Sequence, residues 1–310
     1  MGMHPRWIKA GSIISQTQRT IDRQFLFKPD RVTRDIIGAS AARAQRKHPI
    51  RLYWLDFNIN HEQAGIAPID GSLKSITNVV LFKQTFHRIA VEEINRHLGR
   101  EGGMFSSPSR DVECLDNESA QRQFGYALTN PVKDGLVERV EHWKGFSSYE
   151  YLAKGKDPVF TYIDRTAWHR AGGVKSGKPL GVFTETIRLV FTPLPGMEHL
   201  SEGQRQAQTR RQCRELEQQF REERAREGKT VMGAARMAKV GHRDRPKTTP
   251  PKTPKPLCHA SSLGARKAYK AAFCAFLDAY YNASAQYRAG NWEAEFPKGS
   301  FRPPLIVAAA

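Results

Sequence analysis

Apolar and polar positions in the first half of the chain alternate between strand-like and helix-like periods. Ile13 to Phe27 mixes both types and closes on Phe25-Leu26-Phe27 before a Lys28-Pro29-Asp30 break, which predicts a first strand or hairpin. Arg31 to Lys47 is rich in Ala, Arg and Ile without Pro, and predicts a helix stopped by His48-Pro49. Ile50 to Ile59 predicts a strand with Tyr53, Leu55, Phe57 and Ile59 on one face. A second extended piece follows from Asn60 to Ile66, ended by Pro68 and the Asp70-Gly71 turn. Leu73 to Leu98 predicts a long helix closed by Gly99, Gly102 and Gly103, and Asp116 to Thr129 another, stopped by Pro131. This β-α-β-β-α order predicts an α+β fold: a ferredoxin-like antiparallel sheet with helices on one face.

Beyond Tyr162 the periods weaken. Gly172 to Gly181 reads as a Gly/Lys loop and Gly181 to Phe191 as a strand. Ser201 to Gly228 is a highly charged helix whose apolar positions are sparse (Cys213, Leu216, Phe220), the pattern of a solvated helix laced with ion pairs. Arg243 to Pro256 is a basic, Pro-rich linker expected to be extended, and Leu263 to Arg288 a closing helix striped by Tyr269, Phe273, Phe276, Leu277 and Tyr280. The expected organisation is a main domain over 1–160 and a loop and strand extension over 161–200. A charged helix and linker over 201–262 and a helical segment over 263–310 complete a basic, partly helical and partly disordered extension.

Charge sharpens this picture. The 310 residues hold 49 Lys+Arg against 31 Asp+Glu, a net charge of +18. Residues 1–160 carry 23 basic and 18 acidic side chains, and residues 161–310 carry 26 and 13, so the excess sits in the second half. Such a balance is the footprint of a nucleic-acid partner, because each neutralised phosphate releases counterions. Arg205, Arg210, Arg211, Arg243, Arg245, Lys247, Lys252 and Lys255 are the candidate backbone-gripping residues. A hydrophobic fraction of 39% suffices for one core of roughly 150 residues. No apolar run approaches the roughly 20 residues of a membrane span, and the N-terminus has no secretory apolar stretch, so a cytoplasmic protein is expected. Four cysteines without a C-x-x-C pair predict neither a disulfide framework nor structural zinc.

The most specific stretch runs Tyr126-Ala-Leu-Thr-Asn130-Pro131-Val132-Lys-Asp-Gly135-Leu136-Val137, followed by Trp143 and Ser147-Ser148-Tyr149. Helical spacing gathers Ala120, Phe124, Ala127 and Leu128 on one face. Tyr126, Asn130 and Arg122 share another, off the core. By spacing alone Tyr126 also reads as a half-buried tyrosine and Asn130 as a helix C-cap.

The block resembles the tyrosine single-strand DNA transposases, in particular the REP-associated tyrosine transposase branch. The resemblance covers roughly residues 15–150. It includes Arg19-Thr20 with Phe25-Leu26-Phe27-Lys28-Pro29-Asp30 as the opening strand, and Leu73 to Gly103 as the long helix and its glycine-rich exit. It implies a bacterial DNA nicking and joining enzyme in which Tyr126 is the nucleophile and Asn130 faces a metal. The family's His-hydrophobic-His strand falls on His61-Glu62-Gln63, where the second His is Gln. His61 and Gln63 share a strand face, and an amide oxygen there suits Mg²⁺ or Mn²⁺ better than a transition metal. Glu62 would be a ligand if the strand is bulged, and Arg122 a support for the nucleophile. No phosphate-loop motif is present and no nucleotide cofactor is expected. The implied partner is single-stranded or hairpin DNA; monomer and dimer both stay open, with a monomer favoured. Two alternatives stay open: a DNA-binding relative that no longer cuts, and a basic RNA-binding protein without catalysis.

Overall fold

Side-chain alternation along β1 (Ile13–Arg19) sets up two cores, for Ile14 joins one apolar cluster and Ile13 another on the opposite side of the sheet. The computed structural model describes residues 5–246 and 256–304. After β1 come α1 (Arg31–Lys47), β2 (Arg51–Asn58), β3 (His61–Ala67), α2 (Leu73–Leu98), β4 (Arg110–Cys114) and α3 (Asn117–Lys133). The second half adds α4 (Tyr149–Leu152), β5 (Val159–Ile163), α5 (Arg165–Arg170), β6 (Thr184–Arg188), α6 (Glu202–Arg226), α7 (Gly233–Lys239), β7 (Cys258–His259) and α8 (Leu263–Arg288).

The main sheet is mixed, with strand order β2-β3-β1-β4-β7. β1 runs antiparallel to β3 and β4, β2 antiparallel to β3, and β7 parallel to β4. Helices cover both faces, not one. Leu52, Leu55, Phe57, Ala64 and Ile66 pack with α1 and α2, while Tyr53, Trp54 and Ala67 pack with α3. A bulge between Leu52 and Trp54 shifts the alternation of β2. The single face expected of Tyr53, Leu55, Phe57 and Ile59 is therefore split between the two cores.

The charged helix α6 is solvated on one side only; its sparse buried stripe lies on α3. Its sparse stripe suffices because contact is close: a Cβ at Gly125 would stand 2.9 Å from Leu216 Cδ1 and 2.5 Å from Gln212 Nε2. Polar bonds complete the seam, with Gln212 Nε2 donating to the Gln121 carbonyl at 2.8 Å and Arg224 to the Val132 carbonyl at 2.8 Å. The two-stranded β5-β6 sheet packs on α1, where Gly38 makes room for Phe160. Near the chain start, Trp7 stacks on Phe276 of α8 at 4.8 Å, and Ile8 N–H donates to the Gly299 carbonyl at 2.9 Å. Among the described residues no helix is long and apolar enough to cross a membrane.

Candidate active site

β3 turns His61, Gln63 and Gly65 toward α3. Register aligns them with Asn58, Asp56 and Trp54 of β2 and with Arg19, Thr17 and Ser15 of β1. One end of this strip is apolar: Trp54 lies over Gly65, where a Cβ would come within 2.2 Å of its ring, and meets Phe124 edge-on at 6.1 Å. The other end is polar, and α3 reaches it with its last two turns. The helix continues three residues past the expected stop at Asn130 and carries Pro131 inside it. Asp134 N–H donates to the Asn130 carbonyl at 2.9 Å and Leu136 N–H to that of Pro131 at 2.9 Å, which together close the helix end. Gly135, at φ 67°, then reverses the chain.

Asn130 is therefore buried over the strand, not directed away from the core as its spacing suggested. Its Nδ2 stands 2.6 Å from His61 Nε2 and 3.3 Å from Gln63 Oε1. His61 Nδ1 meets Asn60 Oδ1 at 2.8 Å, so this nitrogen carries the ring proton and Nε2 presents a lone pair. Burial, reinforced by Arg19 and Lys133, pushes the His61 pKa down to about 4, so the ring is neutral at pH 7.

Tyr126, one turn before Asn130 on the same helix, is half-buried. Its phenol oxygen accepts a hydrogen bond from Lys133 Nζ at 3.0 Å, and the same ammonium sits 4.3 Å from the ring centroid. Arg19 is exposed beside His61 as its cross-strand partner. Behind the group, Asp56 is closed in by the 146–148 segment: its Oδ1 accepts from Ser147 Oγ at 2.6 Å and Ser148 N–H at 3.1 Å. Desolvation raises this carboxyl to about 6, against the hydrogen bonds from Ser147 and Ser148.

Other expected residues lie elsewhere. Strand alternation sends Glu62 to the opposite face, fully buried, where Gln16 Nε2 donates to it at 2.5 Å and His87 Nε2 meets it at 2.8 Å. No bulge turns it toward His61, and His87 points inward from α2 to meet it. Arg122 pairs with Glu118 and donates to the Ala260 carbonyl, so it is directed away from Tyr126. Arg205 and Arg210 donate to the carbonyls of Leu200 and Ala153 and so serve the fold as well as the surface. Arg211 is exposed on α6 and lines an open groove with Arg214, while Arg243 and Arg245 are exposed after α7. Lys247, Lys252 and Lys255 lie outside the described residues. Lys133 escaped sequence reasoning although it stands seven residues after Tyr126, the two-turn spacing that shares a helix face. Arg19 was read only as part of the first strand, and burial of Asp56 had no sequence signal.

The donor chemistry can be tested against a metal. His61 Nε2, Gln63 Oε1 and the Asn130 amide converge, and Asn130 Oδ1 is buried without a partner. Amide oxygen and nitrogen are interchanged by a half-turn, which would aim that orphaned oxygen at the same point. One imidazole and two amide oxygens fit a hard divalent cation such as Mg²⁺ or Mn²⁺. Among the described residues no three His, Cys, Asp or Glu gather in a cluster suited to zinc.

No family model matches the chain, and neither does any curated protein. Among solved structures it is similar to that of a REP-associated tyrosine transposase bound to a REP hairpin. The two share 15% identity and a TM-score of 0.40, over 50% of this chain and 86% of that one.

Proposed function

We propose that the protein is a transposase-like enzyme that nicks and rejoins single-stranded DNA through Tyr126, at hairpin-type repeats. The observation that carries this reading is the contact of Asn130, one helical turn after Tyr126, with the strand-borne His61. Tyr126 and Asn130 rise on one helix, and Asn130 reaches 2.6 Å from His61 Nε2. The four strands β2-β3-β1-β4, with α1 and α2 as crossovers, are read as a ferredoxin-like core that supports this meeting.

His61, Gln63 and Asn130 would hold Mg²⁺ or Mn²⁺, which when bound places positive charge against the scissile phosphate. Tyr126 supplies the nucleophile. Its oxygen bonds to phosphorus, the bond from phosphorus to the 3′ oxygen breaks, and the phenol proton passes to solvent while the 3′ oxygen takes one up. The products are a 5′-phosphotyrosine and a free 3′-hydroxyl. Attack by another 3′-hydroxyl restores a diester and frees Tyr126, so no nucleotide is consumed. Asn60 holds His61 in the tautomer whose Nε2 lone pair faces the site.

A second reading has an observation of its own. His61 Nε2 and Gln63 Oε1 are already engaged by Asn130 Nδ2, and the three side chains leave no room for a water between them. That closure suits a relative that binds DNA and no longer cuts. Cleavage assays with hairpin-bearing single strands and Mg²⁺ or Mn²⁺ separate the two. The enzyme reading expects cleavage by the full chain, its loss in His61→Ala, and a gain in Gln63→His from a stronger donor nitrogen. Absence of cleavage in all three, with hairpin binding retained, establishes the binding protein.

A further inference from the structure

We propose that Lys133 is the positioning residue of this site, holding the Tyr126 phenol and offering its charge to the phosphate that Tyr126 meets. The proposal deepens the reading above and rests on it for the role of Tyr126.

Three features lead to it. The first is the helix end. Because α3 runs through Pro131 to Lys133, residue 133 stays on the face of Tyr126, and a helical side chain leans toward the N-terminus. The chain of Lys133 therefore extends back toward Tyr126, the direction in which its ammonium is found. A helix ended at Asn130 would have lost this alignment.

The second is the double contact. One ammonium both donates to the phenol oxygen at 3.0 Å and lies 4.3 Å from the ring centroid, so it restricts the ring and marks the oxygen at once. Two of its three hydrogens remain for other acceptors. Lys133 is exposed, so those acceptors can come from outside the protein.

The third is the surrounding charge. Among the described residues no carboxylate lies within ion-pair distance of Lys133. Arg19 of β1 is exposed as the cross-strand partner of His61, so a second cation, from a different element, borders the strand that Asn130 meets. The neighbouring carboxylate, Asp134, is engaged by Asn58 Nδ2 at 2.6 Å. A phosphodiester is the anion that such a place would receive in a DNA-acting protein, and its contact with Lys133 would set phosphorus beside the phenol oxygen.

The test is a charge-deletion cycle on the full chain. Binding to a hairpin-bearing single strand is measured without added metal, with a neutral methylphosphonate moved one position at a time along the strand. Wild type, Lys133→Met and Lys133→Arg are compared. We expect one position at which the neutral group weakens wild type about tenfold and Lys133→Met less than about twofold, with Lys133→Arg keeping the wild-type sensitivity. A merely structural lysine would not couple to a single phosphate. Equal sensitivity of wild type and Lys133→Met at every position overturns the proposal, as does a wild type with no sensitive position. Cleavage is scored separately: a chain that shows the coupling yet never cuts fails the nuclease reading and keeps the Lys133 contact.

Discussion

At Asp56 the hydrogen-bond geometry and the raised pKa have one explanation. Leu55 N–H donates to Ser148 Oγ at 2.6 Å, and Ser148 Oγ donates in turn to the Leu55 carbonyl at 2.7 Å. The serine has no second hydrogen for Asp56 Oδ2 at 3.1 Å, so a proton on the carboxyl completes the network. The unfolded chain loses this proton near 3.8 and the folded one near 6. Stability from Asp56 is therefore greatest below pH 4, falls as pH rises through 6, and is a constant cost above. Asp56→Asn, whose Nδ2 can donate to Ser148 Oγ, should stabilise the fold at pH 7.5 by about 1–3 kcal/mol. The gain should fade near pH 4.5. Denaturant unfolding at both pH values checks this, and an equal gain at each would contradict it. Little of this was legible in the sequence, where Asp56 reads as a polar outward position of a strand. The segment that buries it comes from about 90 residues away. His61 and Gln63 sharing a face followed from alternation alone, whereas Lys133 was hidden by the assumption that Pro131 ends the helix.

Helices with strong ends were read well and short strands were not. α2 begins after Ser72, whose hydroxyl accepts from Ser75 N–H, and ends at Gly99 with φ 60°, as its sequence suggests. α8 spans Leu263–Arg288 as expected. β4 was missed because Arg-Asp-Val-Glu-Cys offers too few apolar positions to show a period. Its polar side chains find partners only in the fold, such as Asp111 with Lys83 at 2.7 Å. In β3 the glycine is as telling as the histidine, for Gly65 admits the Trp54 ring between sheet and α3. Gly65→Ala should destabilise the fold by about 2–3 kcal/mol and, by lifting α3, weaken DNA capture as well. Chemical unfolding of the variant measures the first, and a loss under about 0.5 kcal/mol would show that Trp54 shifts freely.

Across the whole molecule the basic second half is built onto the first, not strung beside it. α6 covers α3, β7 extends the sheet, and α8 stacks on Trp7. Charge counts gave the sign of the partner but not this packing, which depends on glycines such as Gly125 and on contacts far apart in sequence. Deleting residues 201–310 would therefore uncover the core of α3, and it cannot isolate a role in DNA binding. Surface variants can. Arg211→Glu with Arg214→Glu, both exposed on α6, should weaken DNA binding alike on all sequences and lower its salt slope by about 2. A loss confined to one sequence would make α6 a reader of bases. The central claim remains the one about Tyr126, and covalent capture tests it most directly. The full chain is incubated with a hairpin-bearing single strand and Mn²⁺, denatured, and digested to locate any DNA-linked peptide. The account predicts an adduct on the peptide containing Tyr126 in wild type and none in Tyr126→Phe, which should fold normally. An adduct that persists in the Phe variant, or a wild type that captures no strand under any hairpin, would contradict it.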